Sequence, residues 1–98
     1  MITIQNIRSL KPSTPWDVRV DRKSILGNPY RMNSVNDRNR VCDDYDKWFS
    51  EQLKRFELEL IRLYDIWKRH ERLNLFCWCA PKRCHAETIK KWLEEYKI

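Results

Sequence analysis

Nine consecutive residues, Cys77-Trp78-Cys79-Ala80-Pro81-Lys82-Arg83-Cys84-His85, gather thiols, an imidazole and two cations in one short stretch. Three chemistries fit them. Cys77, Cys79, Cys84 and His85 are the ligand types of a closed zinc site, spaced CxCx4CH. In an extended strand Cys77 and Cys79 share a face about 7 Å apart. Cys84 and His85 at a helix start point about 100° apart, so the chain must bend to bring all four to one ion. A second chemistry is nucleophilic. Cys77 and Arg83 satisfy C-x5-R, the spacing of loops in which a thiolate attacks phosphorus and arginine holds the oxygens; those loops carry glycines, and this one has Pro81 instead. Cys79, Cys84 and His85 are the first catalytic candidates, although adjacent helical residues do not face one another. In the third account the cysteines are small buried hydrophobes, the role also expected of the isolated Cys42.

A second group leaves the end of a predicted strand: Val20-Asp21-Arg22-Lys23-Ser24-Ile25-Leu26-Gly27-Asn28-Pro29-Tyr30-Arg31. Arg22 and Arg31 can fork onto phosphate or carboxylate, and Tyr30 can stack on a base. Asp21, Arg22, Asn28, Tyr30 and Arg31, with Cys77 and Arg83 from the cysteine turn, make up the expected ligand-binding set. The bland counterpart is a surface loop in which Gly27-Asn28 provides left-handed backbone.

Periodicity supplies the elements that must hold these groups. Ile2–Ile7 alternates apolar and polar, as does Trp16–Arg22 with Trp16, Val18 and Val20 on one face, so both predict strands. They either pair as a hairpin or lie apart in one sheet. Val41, Tyr45, Trp48, Phe49, Leu53, Phe56, Leu60, Leu63, Tyr64 and Trp67 recur at steps of three and four, the stripe of an amphipathic helix. Asn36, Asp37 and Asn39 are candidate N-caps. Unbroken, residues 40–68 would extend about 43 Å, too long for a domain with a radius of gyration of about 13 Å, so a break near Ser50 is expected. Leu73–Cys79 predicts a buried strand ended by Pro81. Ala86, Ile89, Trp92, Leu93 and Tyr96 predict a C-terminal helix. The order β, β, loop, one or two α, β, α implies an α/β fold: a small, mainly three-stranded sheet with two or three packed helices, Rossmann-like in character, forming one domain over residues 1–98. If the second and third strands are parallel neighbours, the two chemical groups meet at one edge of the sheet, where ligands of open α/β sheets gather. The start of the last helix would add a favourable field for an anion or a thiolate there, reinforced by Lys82 and Arg83.

Composition narrows the function classes. The chain has 98 residues, 20 Lys+Arg against 14 Asp+Glu, and one glycine, Gly27. Walker-type and GxGxxG phosphate loops need several glycines and are excluded. The +6 charge is uneven: residues 1–40 carry eight basic and three acidic side chains, a basic third suited to phosphate-bearing partners. No run approaches the roughly 18 apolar residues of a membrane span. Met1–Leu10 lacks the pattern of a secretory signal, so a cytoplasmic location without membrane contact is expected.

Val20-Asp21-Arg22 through Leu26-Gly27-Asn28-Pro29-Tyr30, Tyr45…Trp48-Phe49 and CWCAP-x2-CH together resemble the family known as domain of unknown function 4326, small proteins of bacteria and their phages. The resemblance runs over most of the chain. It implies a single α/β domain with the LGNP and CWC/CH segments as its functional pair, in the host cytoplasm if phage-encoded, and no established activity. Two functions then compete. One is binding of a nucleotide or nucleic-acid-derived ligand in a cleft between the two segments, with turnover open. The other is a non-catalytic interaction protein that binds a host protein or nucleic acid through the basic third and Trp48, Trp67 and Trp92, with the Cys/His cluster structural, zinc included.

Overall fold

The computed structural model describes residues 1–80 and 82–96, with Val35 as backbone only. Three strands, β1 (Ile2–Asn6), β2 (Asp17–Arg19) and β3 (Leu73–Cys77), form one parallel sheet in the order β1-β3-β2. The first two strands therefore lie apart and flank the third. β3 is buried along nearly its whole length, as befits the central strand of a parallel sheet. The register pairs Ile4 with Leu75 and Leu75 with Val18. Side chains alternate across a strand, so Ile2, Val18, Leu73, Leu75 and Cys77 face the main core. On the opposite face a polar ladder crosses all three strands: Thr3 donates to Asn74 at 2.5 Å, and Asn74 donates to Asp17 at 2.7 Å.

A 3-10 turn (Val35–Asp37) leads into α1 (Arg38–Glu51), followed by α2 (Leu53–His70) and, after β3, α3 (Ala86–Glu95). The helical stripe breaks at Gln52, two residues beyond the expected position; its N–H is held by the carbonyls of Trp48 and Phe49. Phe49 and Trp48 both pack on Phe56 across the break, with ring centroids 5.8 and 5.2 Å apart. The fold thereby keeps a radius of gyration of 12.9 Å. Asp37 occupies the N-cap of α1 without a side-chain cap; its carboxylate instead accepts the Asn33 N–H at 2.9 Å. Lys68, Arg69 and His70 close α2, where the Lys68 and Arg69 charges complement the helix dipole. α3 buries Ala86, Ile89 and Leu93. Trp48, Trp67 and Trp92 pack partly buried against the core, so these rings serve packing before any partner. Among the described residues no helix is long and apolar enough to cross a membrane. The expected α/β class, with three strands and three helices, is the one observed.

Candidate functional site

β2 and β3 are parallel neighbours, so the chain leaves both at the same edge of the sheet. β3 ends at Cys77 rather than Cys79, and the following turn is held from the neighbouring strand. Asn6 donates to the carbonyls of Trp78 at 3.1 Å and Ala80 at 2.8 Å, while Lys82 N–H closes on the Cys79 carbonyl at 2.9 Å. Pro81, expected to end the strand, lies outside the described residues.

The loop after β2 is built around Asp21. Its carbonyl accepts the N–H and hydroxyl of Ser24, both at 2.9 Å, and the Ser24 carbonyl accepts the Gly27 N–H. Gly27 does not adopt a positive φ, contrary to the expected left-handed Gly27-Asn28 pair. It is needed for close approach: a Cβ there would stand 2.5 Å from the Asp21 carbonyl oxygen and 2.6 Å from the Arg22 Cα. Leu26 is buried, and its carbonyl accepts the Tyr45 hydroxyl at 2.7 Å. Asn28 is also buried. Its side chain accepts the Tyr30 N–H at 2.8 Å and reaches the Val41 carbonyl at 3.5 Å, tying the loop to α1.

These two segments and the start of α1 enclose a cavity of about 350 Å3. Asp21, Arg22, Asn28 and Tyr30 line it from the loop; Trp78, Cys79, Arg83, Cys84 and His85 line it from the turn. The expected ligand set is thus mostly brought together, with two exceptions. Arg31 is exposed outside the lining, and Cys77 lies beneath it, 1% exposed in the core. Lys23, Met32, Arg38, Val41 and Cys42 also line the cavity, none singled out from the sequence as site residues. Cys42 is buried as expected, but in the cavity wall and outside the main core cluster.

Individual side chains have defined tasks. Asp21, 3% exposed, pairs with Arg19 and accepts the Trp78 indole N–H at 2.9 Å. Burial opposes its ionisation, yet the hydrogen bonds from Arg19 and Trp78 win and hold its pKa below the ordinary carboxylate value. Asp21 therefore fixes the ring that forms one edge of the cavity. Arg83 reaches away from Cys77 to Asn39 and Asp43 on α1, the latter at 2.8 Å, so the C-x5-R geometry of a phosphatase loop is not formed. Arg22 donates to the Tyr30 carbonyl at 2.9 Å and Arg38 to the Arg83 carbonyl at 3.1 Å.

His85 caps α3 with its ring buried against Tyr45, and its Nε2 is hydrogen-bonded to the Val20 carbonyl. A carbonyl only accepts, which puts the proton on Nε2 and leaves Nδ1 as the unprotonated ring nitrogen. Burial lowers the His85 pKa below its ordinary value, keeping the ring neutral. Cys84 turns to Cys77, with Sγ atoms 3.1 Å apart, so Cys84 and His85 do not form a nucleophile–base pair. The zinc set is not assembled either. Among the described residues no three His, Cys, Asp or Glu side chains converge where they could hold a metal ion. The N-terminus of α3 is not a vacant anion site, because Glu87 accepts the Cys84 N–H at 3.1 Å. The positive character of the cavity comes instead from Arg22, Lys23 and Arg38 around its margin, since Arg83 is ion-paired with Asp43 and Asp46.

No curated protein and no solved structure matches the chain. A family model does, over residues 4–95. The span takes in both chain segments that form the cavity, and the chain belongs to the family described as Domain of unknown function (DUF4326).

Proposed function

We propose that this domain binds a small anionic ligand, a nucleotide or nucleic-acid-derived molecule, in the cavity at the carboxyl ends of β2 and β3. The observation that carries the proposal is convergence. Segments some fifty residues apart in sequence close on one space lined by Arg22, Lys23 and Arg38 and by Arg83, which is ion-paired with Asp43 and Asp46, against one lining acid, Asp21, that is paired with Arg19. A volume of about 350 Å3 lies in the range of small-molecule sites, roughly 300–1,000 Å3. Trp78 and Tyr30 are 48% and 36% exposed, offering aromatic faces to a planar base. The cations suit phosphate, and the buried Asn28 and His85 add polar groups that can fix orientation.

A thermal-shift panel of nucleoside mono- and diphosphates, ribose phosphate and inorganic phosphate tests this. At 100 times its dissociation constant a ligand adds about 2.7 kcal/mol, or about 10–20 °C for a domain of this size. Lys23→Gln, at an exposed position, should weaken the effect without altering the fold. No stabilisation by any member refutes the proposal. The second function draws on Arg8, Lys11, Arg31 and Arg40, exposed in the basic third outside the cavity. Salt-sensitive binding of DNA or RNA, unaffected by changes inside the cavity, would favour it.

A further inference from the structure

Beneath the cavity lies a pair of groups that ligand binding does not use. Cys77 ends the central strand, Cys84 sits two residues before α3, and their sulfur atoms are in contact at 3.1 Å. Both are buried, 1% and 3% exposed, yet Cys84 forms part of the cavity wall. We infer that Cys77 and Cys84 are the site of a reversible disulfide, formed by a hydroperoxide that reaches Cys84 through the cavity. This inference does not depend on which ligand the cavity holds.

The geometry favours this pair over the other cysteines. Closing a disulfide from 3.1 Å needs an approach of about 1 Å, since the bonded sulfurs stand about 2.05 Å apart. The two sulfurs are held in place by different elements, one by the sheet and one by the helix start, so their contact persists without ordering a mobile loop. Cys79 is more exposed but makes no sulfur contact among the described residues, and Cys42 is on α1. The contact with Cys84 and the nearby backbone N–H groups of Cys79 and Ala80 favour the Cys77 thiolate and lower its pKa to about 6 despite burial. Cys77 can therefore take up and return the Cys84 proton, and it is a thiolate when it closes the disulfide.

The chemistry balances in two steps. Cys84 first passes its thiol proton to the Cys77 thiolate it touches, and the Cys84 thiolate so formed attacks one peroxide oxygen; an S–O bond forms, the O–O bond breaks, and the departing oxygen takes that proton back from Cys77 and leaves as water or an alcohol. Cys77, again a thiolate, then attacks the Cys84 sulfenic sulfur, forming S–S and expelling the oxygen as hydroxide, which takes a proton from solvent to become water. Two thiols lose two electrons, and the hydroperoxide gains them. A dithiol reductant reverses the change.

Hydrogen peroxide treatment of the full folded chain, followed by thiol titration and tryptic mapping, tests the inference. Free thiols should fall from four to two and return to four with dithiothreitol. Cleavage at Arg72, Lys82, Arg83 and Lys90 separates residues 73–82 from residues 84–90, so the bond appears as a cross-linked peptide pair. Fragmentation between Trp78 and Cys79 assigns the partner in the unmodified sequence, with no variant required. The link should persist in Cys79→Ser and vanish in Cys84→Ser. A link assigned to Cys79, four thiols still titratable, or over-oxidation without a cross-link would each overturn it.

Discussion

Replacing Gly27 with alanine is a direct test of how the loop is held against the end of β2. The added Cβ would meet three backbone atoms: the Asp21 carbonyl oxygen at 2.5 Å, the Arg22 Cα at 2.6 Å and the Asp21 carbonyl carbon at 2.9 Å. None belongs to a flexible side-chain end, so the loop itself must move by at least about half an ångström. Asp21 and Leu26, at the two sides of this contact, are both buried, and each is tied to another element through Trp78 and Tyr45. Overpacking of this kind costs about 1–3 kcal/mol. Alanine also restricts the unfolded chain, which offsets about 0.4–1 kcal/mol where the native backbone is unstrained. The net expectation is a loss of about 1–2 kcal/mol, equivalent to about 0.5–2 M in the urea midpoint. Tryptophan fluorescence during urea unfolding reads it, with Ile25→Ala, exposed on the same loop, as a control expected within about 0.5 kcal/mol. A Gly27→Ala midpoint equal to or above that of the parent protein would refute the close-approach account.

Other expectations follow from the same contacts. Tyr45→Phe leaves the Leu26 carbonyl without its buried donor and should cost about 1–3 kcal/mol by denaturant unfolding; burial raises the Tyr45 phenol well above its ordinary pKa, so in an alkaline absorbance titration it should ionise only with unfolding. Asp17 and Asp21 have depressed pKa values in the folded state, so their contribution is present above about pH 3.9 and lost as pH falls through the folded values. Trp78→Phe removes one donor to Asp21 and should shift that acid loss to higher pH, measured by unfolding between pH 5 and 2. His85 also has a lowered folded pKa, so the unfolded chain takes up a proton first as pH drops below about 6.5 and stability falls with it. His85→Gln should flatten the stability difference between pH 7 and pH 5; an unchanged slope would count against a buried neutral ring.

Much of the architecture was legible because each element carries its own periodic signal. The alternation in Ile2–Ile7 and Leu73–Cys79 and the three-to-four spacing from Val41 to Trp67 predict strands and helices that are observed, the strands as Ile2–Asn6 and Leu73–Cys77. Boundaries were less legible. β3 stops at Cys77 because Asn6, 72 and 74 residues before the carbonyls it holds, captures the turn. The break between α1 and α2 falls at Gln52 because Trp48, Phe49 and Phe56 pack across it.

By itself the sequence determined which residue types were on hand and that two short segments concentrate them. It also excluded glycine-rich phosphate loops, because one glycine among 98 residues cannot build them. Only the tertiary structure decided how those residues are used. Parallel pairing of β2 with β3 brings the two segments to one cavity, and α1 contributes Arg38, Val41 and Cys42 to its wall. The same packing turns Arg83 to Asp43, His85 to Val20 and Cys77 to Cys84, dissolving the phosphatase, nucleophile–base and zinc arrangements that spacing alone left open. The physical reason is that side-chain direction depends on strand register and helix phase, which long-range burial sets and local spacing does not.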